Sequence, residues 1–107
     1  MIENFIGGIV MKKIKLGNII YNKDEAELSK NGVSLYLSNK ECEMMDILIY
    51  NKPKKVSKKE LENKLWSKDK KDEKIVNMYI LYLQQKLLAL GANIKISERD
   101  GYALESI

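Results

Sequence analysis

Positively charged side chains are concentrated in a lysine-rich stretch near the middle of this sequence. Residues 50–74 hold ten lysines and five acids, so the stretch carries a net charge of +5, while the whole chain carries +4. Two of these lysines, Lys58 and Lys59, fall in the first turn of a predicted helix, where free backbone N–H groups also attract phosphate. The stretch therefore predicts contacts with the phosphates of a nucleic acid, and the alternative is a solvated lysine-rich surface.

The residue types used by most enzymes and metal sites are missing. The chain contains no histidine, which excludes Ser-His-Asp and Cys-His catalysis and histidine-bound metals. The single cysteine, Cys42, has no accompanying base, and we expect it to be a small buried apolar residue. Carboxylate pairs such as Glu41/Glu43 and Asp72/Glu73 fall on helix caps or solvated faces, and the six glycines form no phosphate-binding loop. We therefore expect no catalytic residue, no metal and no cofactor, and disfavour an enzyme.

Length and hydropathy are typical of one ordinary domain. A chain of 107 residues is long enough to bury one core. No stretch approaches the roughly 18 apolar residues of a membrane span, and the cysteine content suits a reducing compartment. The sequence thus predicts a cytoplasmic protein with no membrane partner. Residues 1–13 are interpreted as a linker or N-terminal extension, and residues 14–107 as the domain.

The first part of the domain predicts a small antiparallel sheet. Residues 26–30 and 33–37 flank Asn31-Gly32, a pair that favours a two-residue hairpin because both turn positions require a positive φ. Alternation of apolar and polar residues in these strands indicates one buried and one solvated face. The core face is predicted to hold Leu28, Val33, Leu35 and Leu37.

Three predicted helices follow the sheet. Residues 38–41 and 57–60 each match a capping box, in which a serine accepts the N–H three residues on and the glutamate there reaches back. The first helix runs to about Asn51, and the third runs over residues 73–90 and stops at Gly91. A stripe at core spacing lies on the third helix, formed by Val76, Ile80, Leu83, Leu87 and Leu90. The residues expected to be buried on the first two helices are Cys42, Met44, Met45, Leu48, Ile49, Leu61, Leu65 and Trp66.

Taken together, these segments resemble a known family. Residues 37–48 are similar to the first-helix pattern LTxxEFxLLxxL of OmpR/PhoB-type winged-helix domains, the output domains of bacterial response regulators. Residues 56–66 resemble the second helix, VSRExL…W, and residues 74–87 resemble the third, RTVDVHIxxLRxKL. Residues 101–104 match the closing GYxL of the wing. The likeness spans residues 14–105 and needs no gap across the first two helices.

The resemblance implies both a fold and a function. The fold is α+β, a winged helix-turn-helix with an N-terminal antiparallel four-stranded sheet, a three-helix core and a C-terminal β-hairpin wing. The third helix would enter the major groove of double-stranded DNA, and the second helix and wing would contact the backbone. The loop at residues 67–72 would contact RNA polymerase, and homodimers would bind tandem sites. The implied activity is transcription regulation in a bacterial two-component system, in which a receiver domain normally precedes the module.

The outward face of the third helix departs from the family pattern. Arginines of the pattern are replaced by Leu81, Tyr82 and Gln84. Gln85 can pair with adenine, and Met78 and Tyr82 can meet thymine methyl groups, which favours A·T-rich DNA. The alternative is that exposed Met78, Leu81 and Tyr82 bind a protein or mediate self-association. The whole face is predicted to comprise Lys74, Ile75, Met78, Leu81, Tyr82 and Gln85.

The only arginine falls in the turn between two terminal strands, predicted at residues 93–97 and 102–105. Where the family commonly has arginine and then glycine, this sequence has Glu98 and then Arg99. We expect Arg99 to contact a DNA groove or backbone, and the alternative is an exposed arginine at a hairpin tip. The complete set of predicted DNA-binding residues is Lys58, Lys59, Lys74, Met78, Tyr79, Tyr82, Gln85 and Arg99.

Overall fold

The computed structural model describes most of the chain. The described residues are 13–66 and 74–107, together with the backbone of 5–6, 9–10 and 73. The predicted loop at residues 67–72 and most of the predicted linker lie outside them. The strands are β1 (Phe5–Ile6), β2 (Ile9–Val10), β3 (Lys13–Leu16), β4 (Ile19–Asn22), β5 (Glu27–Lys30), β6 (Val33–Tyr36), β7 (Ile94–Glu98) and β8 (Tyr102–Ser106). The helices are α1 (Asn39–Asn51), α2 (Lys58–Leu65) and α3 (Glu73–Leu90).

The order of these elements is that of a winged helix. Strands β3 to β6 pair in chain order as an antiparallel four-stranded sheet, and β7 and β8 form the C-terminal hairpin, or wing. Strands β1 and β2 form a separate short pair. The predicted α+β architecture is therefore confirmed. None of the helices in the described part of the chain is long and apolar enough to cross a membrane.

The predicted hairpin of the N-terminal sheet is present, but one of its core residues was assigned wrongly. Lys30 pairs with Val33 directly across the Asn31-Gly32 turn. Leu28 is buried, whereas Val33 is 57% exposed. On the face that Val33 shares, Leu35 is half-buried and Leu37 is buried, so burial increases away from the turn. Val33 has the predicted orientation, but it lies beyond the end of the core.

The helices begin and end where the local sequence predicts. Ser38 Oγ accepts from Glu41 N and the Glu41 carboxylate accepts from Ser38 N, which completes the capping box of α1. At α2 the predicted capping box is only half formed: Ser57 Oγ accepts from Glu60 N at 3.0 Å, but the Glu60 carboxylate pairs with Lys64 at 3.1 Å and not with Ser57 N. Helix α3 ends at Leu90, one residue before Gly91.

One hydrophobic core joins the two sheets and the three helices. Both Met44 and Met45 are fully buried, and the predicted stripe of α3 is buried along its whole length. Ile49, predicted to be buried, is half-buried because it lies in the last turn of α1 at the margin of the core. Trp66 is buried as predicted.

A polar clasp fastens the sheet to the end of α3. Asn93 Oδ1 accepts from Asn18 N at 3.0 Å, and Asn18 Oδ1 accepts from Asn93 N at 2.8 Å. Asn18 Nδ2 also donates to the carbonyl of Gly91 at 3.1 Å. Because these residues are 75 positions apart in the chain, the clasp fixes the orientation of α3 relative to the sheet.

Candidate nucleic-acid interface

Two cations predicted from separate elements line one groove. A single pair of backbone hydrogen bonds, both 2.8 Å, joins Val56 to Tyr102 and so docks the wing against the segment that leads into α2. The groove beside this junction has a volume of about 210 Å³. It is lined by Lys58, Glu98, Arg99, Asp100, Gly101 and Tyr102. The tertiary structure thus brings Lys58 of α2 and Arg99 of the wing together.

The groove lining carries two acids, Glu98 and Asp100, as well as the two cations, but in the described part of the chain the cations are not paired with these acids. Within the described residues neither Lys58, Lys59 nor Arg99 takes part in a salt bridge, whereas Lys64 is paired with Glu60. Lys59 and Arg99 are exposed, and Lys58 is half-buried at the first position of α2. Lys74, at the start of α3, is also exposed.

The wing turn depends on Gly101. Its φ is +133°, and a Cβ placed there would lie 2.9 Å from the carbonyl oxygen of Val56. Gly101→Ala is expected to lower the free energy of unfolding by about 2 kcal/mol, because backbone strain and a contact with rigid backbone combine. Urea denaturation measures the loss. Gly32→Ala is the matched control, since Gly32 has a φ of +84° with no atom within 4 Å of the added Cβ; equal losses in both variants would contradict the role of the Val56 contact.

The outward face of α3 is exposed to solvent as predicted, with one exception. Met78, Leu81 and Tyr82 are between 40% and 53% exposed, and Gln85 is also exposed. Ile75, predicted to face outward, is half-buried against the core because it borders the buried Val76 position. A further apolar residue of this face, Leu88, is 70% exposed and was not predicted.

An aromatic row connects the end of α2 with this face. The ring of Trp66 lies 5.5 Å from that of Tyr79, and Tyr79 lies 5.6 Å from Tyr82 in an edge-to-face arrangement. Lys40 Nζ lies 5.4 Å above the Trp66 ring and donates to the carbonyl of Leu65. Tyr79 is half-buried between these two rings. It therefore supports Tyr82, and it offers less exposed surface to DNA than its place among the predicted DNA-binding residues implies.

Two polar residues of α3, Gln84 and Asn77, bond the wing. The Gln84 amide contacts both backbone groups of Ile96: Nε2 donates to the carbonyl at 2.8 Å, and Oε1 accepts from the N–H at 2.9 Å. Asn77 Oδ1 accepts from the hydroxyl of Tyr102 at 2.9 Å. Neither contact was predicted, because nothing in the helical pattern distinguishes an amide that meets a strand from one that meets solvent.

The cation nearest the middle of α3 is neutralised. Lys86 Nζ pairs with Glu41 Oε1 at 2.8 Å and donates to the carbonyl of Tyr36 at 2.8 Å. Glu41 lies on a helix cap as predicted, but it is only 3% exposed, because Lys86 of α3 packs against this cap. Lys86 borders a groove of about 540 Å³ between α3, β6 and the start of α1. Its charge is balanced by Glu41 within the fold.

The buried cysteine and tyrosine of the described residues have structural roles. Burial raises the pKa of the Cys42 thiol, which keeps it protonated and agrees with its predicted role as a small buried residue. Burial also raises the pKa of Tyr21, whose hydroxyl donates to Asp46 at 2.9 Å. Among the residues that the structure describes, no three His, Cys, Asp or Glu side chains are grouped so that they could hold a metal ion.

Known proteins similar to this chain are regulators of transcription and their DNA-binding domains. The model of the family described as "Transcriptional regulatory protein, C terminal" matches residues 32–104. Transcriptional regulatory protein DltR of Streptococcus agalactiae is 34% identical over 96 residues, which cover 87% of this chain and 43% of DltR. The chain thus spans less than half the length of this relative.

Solved structures share the fold over nearly their full length. The C-terminal domain of the nisin resistance regulator NsrR is 27% identical, with a TM-score of 0.69, and the match covers 87% of this chain and 97% of that domain. The DNA-binding domain of the response regulator AdeR, solved in complex with an intercistronic region, is 23% identical with a TM-score of 0.71. That match covers 88% of this chain and 100% of the AdeR domain.

Proposed function

The chain belongs to the family of C-terminal DNA-binding domains of transcriptional regulatory proteins, the OmpR/PhoB type of bacterial response regulators, and from this premise we propose how it binds duplex DNA. Helix α3 lies in the major groove, while the start of α2 and the wing contact the sugar–phosphate backbone. The similarity to AdeR, whose DNA-binding domain was solved with an intercistronic region, supports this arrangement.

One observation carries the proposal. The groove that holds Lys58 and Arg99 also includes Tyr102, and Tyr102 bonds Asn77 of α3 at 2.9 Å. This groove therefore lies beside the N-terminal half of α3, whose outer face is exposed. A duplex seated on that face would bring backbone phosphates to the groove.

The proposed contacts divide into two kinds. Lysine and arginine side chains position the protein on phosphates without reading sequence, and this role falls to Lys58, Lys59, Lys74 and Arg99. Base edges are read by Met78, Tyr82 and Gln85, with Tyr79 behind Tyr82. Because Gln85 can pair with adenine and apolar groups can meet the thymine methyl, A·T-rich sites are expected to be preferred.

The binding of duplex DNA is expected to weaken steeply with salt. If the protein neutralises about four to six phosphates, log Kobs plotted against log [salt] has a slope of about −4 to −5. Fluorescence anisotropy of a labelled duplex of about 25 base pairs over a salt series measures this slope. The absence of binding at low salt would overturn the proposed function.

A second candidate function is favoured by the apolar character of α3. Four large apolar side chains of its outer face, those of Met78, Leu81, Tyr82 and Leu88, are at least 40% exposed. Such a patch is typical of a surface that binds a protein or a second copy of the chain. Sedimentation without DNA distinguishes the two functions: a dimer that Leu81→Ser disperses supports self-association, and a monomer that binds DNA supports the first proposal.

The wider setting is also proposed. Residues 14–107 would form the DNA-binding domain of a cytoplasmic regulator, with residues 1–13 as a linker or N-terminal extension. Homodimers would occupy tandem sites, and residues 67–72 would contact RNA polymerase. The family assignment and the similarity to DltR support this setting.

A further inference from the structure

We propose that Gln84 is a positioning residue for DNA binding, because it clamps the wing at the angle that lets Arg99 reach the duplex. This inference rests on the proposed function and adds to it a residue that touches no DNA. Its basis is the way in which the two edges of the wing hairpin are occupied.

The hydrogen-bond pattern of the hairpin leaves the backbone N–H and C=O groups of Ile96 pointing away from β8. Successive pairs in an antiparallel ladder alternate between those that bond each other and those whose N–H and C=O groups point away. Tyr102 uses both of its backbone groups on Val56, so the Glu98↔Tyr102 pair points away from the ladder. The Ile96↔Leu104 pair, two residues further along, has the same orientation.

The Gln84 amide takes the place of a missing strand at that outer edge. Its Nε2 lies 2.8 Å from the Ile96 carbonyl oxygen and its Oε1 lies 2.9 Å from the Ile96 nitrogen. A primary amide presents one donor and one acceptor side by side, as a strand backbone does. The outer edge of β8 is bonded by Val56 and the outer edge of β7 by Gln84, so the wing is held between the entry to α2 and the middle of α3.

This clamp links the two proposed DNA contacts. Gln84 is the sequence neighbour of Gln85, which is proposed to read bases, and β7 leads directly to the turn that carries Arg99. With the clamp in place, the Arg99 side chain keeps a fixed distance from the outer face of α3. Without it, the hairpin ladder, the Val56 bonds and the Tyr102–Asn77 bond remain, so the β8 edge of the wing stays attached while its β7 edge can shift relative to α3.

The test uses Gln84→Met, which keeps the length and apolar stem of the side chain and removes both hydrogen bonds. At about 0.1 M salt, loss of one phosphate contact weakens binding about 8-fold, so Gln84→Met and Arg99→Ala are each expected to cost about 8-fold. The double variant is expected to cost about 8-fold as well, since both changes remove the same contact. Gln85→Met is the matched control, and its loss is expected to multiply with that of Arg99→Ala.

Hydrogen exchange without DNA gives an independent readout. The Ile96 amide is expected to exchange at least tenfold faster in Gln84→Met, while amides within the β7–β8 ladder keep their protection. If the wild-type protein binds DNA but the Gln84→Met and Arg99→Ala losses multiply to about 60-fold, the positioning role is wrong and the proposed function stands. If the wild-type protein binds no duplex, both are overturned, and unchanged Ile96 exchange would refute the clamp itself.

Discussion

Lys86→Met is expected to lower the free energy of unfolding by about 3 kcal/mol, the lower end of the range for breaking a buried ion pair. The Glu41 side chain is 4% exposed and its Oε1 lies 2.8 Å from Lys86 Nζ. Methionine fills the space of the lysine stem but leaves the carboxylate buried without a countercharge. The midpoint of thermal unfolding is expected to fall by roughly 10–20 °C. Urea denaturation followed by the fluorescence of Trp66, the only tryptophan, measures the change.

Two further variants separate the ion pair from a general effect of losing a lysine. Lys95→Met removes an exposed lysine and is expected to change stability by less than about 0.5 kcal/mol. Adding Glu41→Gln to Lys86→Met removes the unpaired charge while the amide oxygen can still accept from Ser38 N, and most of the stability is expected to return. A Lys86→Met protein as stable as Lys95→Met would show that the pair contributes little.

The same ion pair also matters for the proposed interface. Through Lys86, α3 is joined to the start of α1 and to the carbonyl of Tyr36 at the end of β6. Together with the Asn18–Asn93 clasp, these bonds hold the C-terminal half of α3 against the rest of the fold. The outer face of the helix, which is proposed to meet DNA, is therefore held on a firmly bonded support.

The largest loss of DNA affinity is expected from removing the two cations of the shared groove. Lys58→Gln combined with Arg99→Gln removes two of the proposed phosphate contacts, which is expected to reduce the magnitude of the salt slope by about 1.8 and to weaken binding about 60-fold at about 0.1 M salt. The loss is expected to be nearly equal for different duplex sequences, because phosphate contacts carry no base information. Anisotropy titrations over a salt series, with two duplexes of different sequence, measure both properties.

A control that removes the same amount of charge elsewhere separates the effect of where the cations lie from the effect of how many there are. Lys13→Gln combined with Lys15→Gln removes two exposed lysines of β3 and lowers the net charge by the same amount. This variant is expected to bind DNA with nearly the wild-type slope. Protein unfolding does not account for the loss in the first variant, since a lysine at the first turn of a helix opposes the helix dipole and its removal does not weaken α2. Equal losses in the two variants would mean that net charge alone drives binding.

Much of the fold could be predicted because the relevant interactions are local. A serine three residues before a glutamate predicts where α1 begins, since both partners of the capping box lie within one helical turn. The stripe from Val76 to Leu90 predicts the buried face of α3, because helical periodicity alone decides which side chains share a face. Val33 was the exception in the sheet, since the strand pattern gives the face of a residue but not where the core ends.

The elements of the candidate interface could be predicted, but their arrangement could not. Helical spacing alone places Met78, Tyr82 and Gln85 outward on α3, and the hairpin signal alone places Arg99 at a turn. That Arg99 lies beside Lys58 follows only from the Val56–Tyr102 bonds, which join residues far apart in the chain.

For this protein, sequence by itself determined the elements from β3 to β8, most of their buried faces and the family to which the chain belongs. The tertiary structure alone decided which polar groups meet: Glu41 with Lys86, Gln84 with Ile96, and Asn18 with Asn93. The physical reason is that hydrophobic periodicity and capping depend on neighbours within about four residues. A lysine or a glutamine, in contrast, can bond many partners equally well, and the packing of distant elements selects the one it finds.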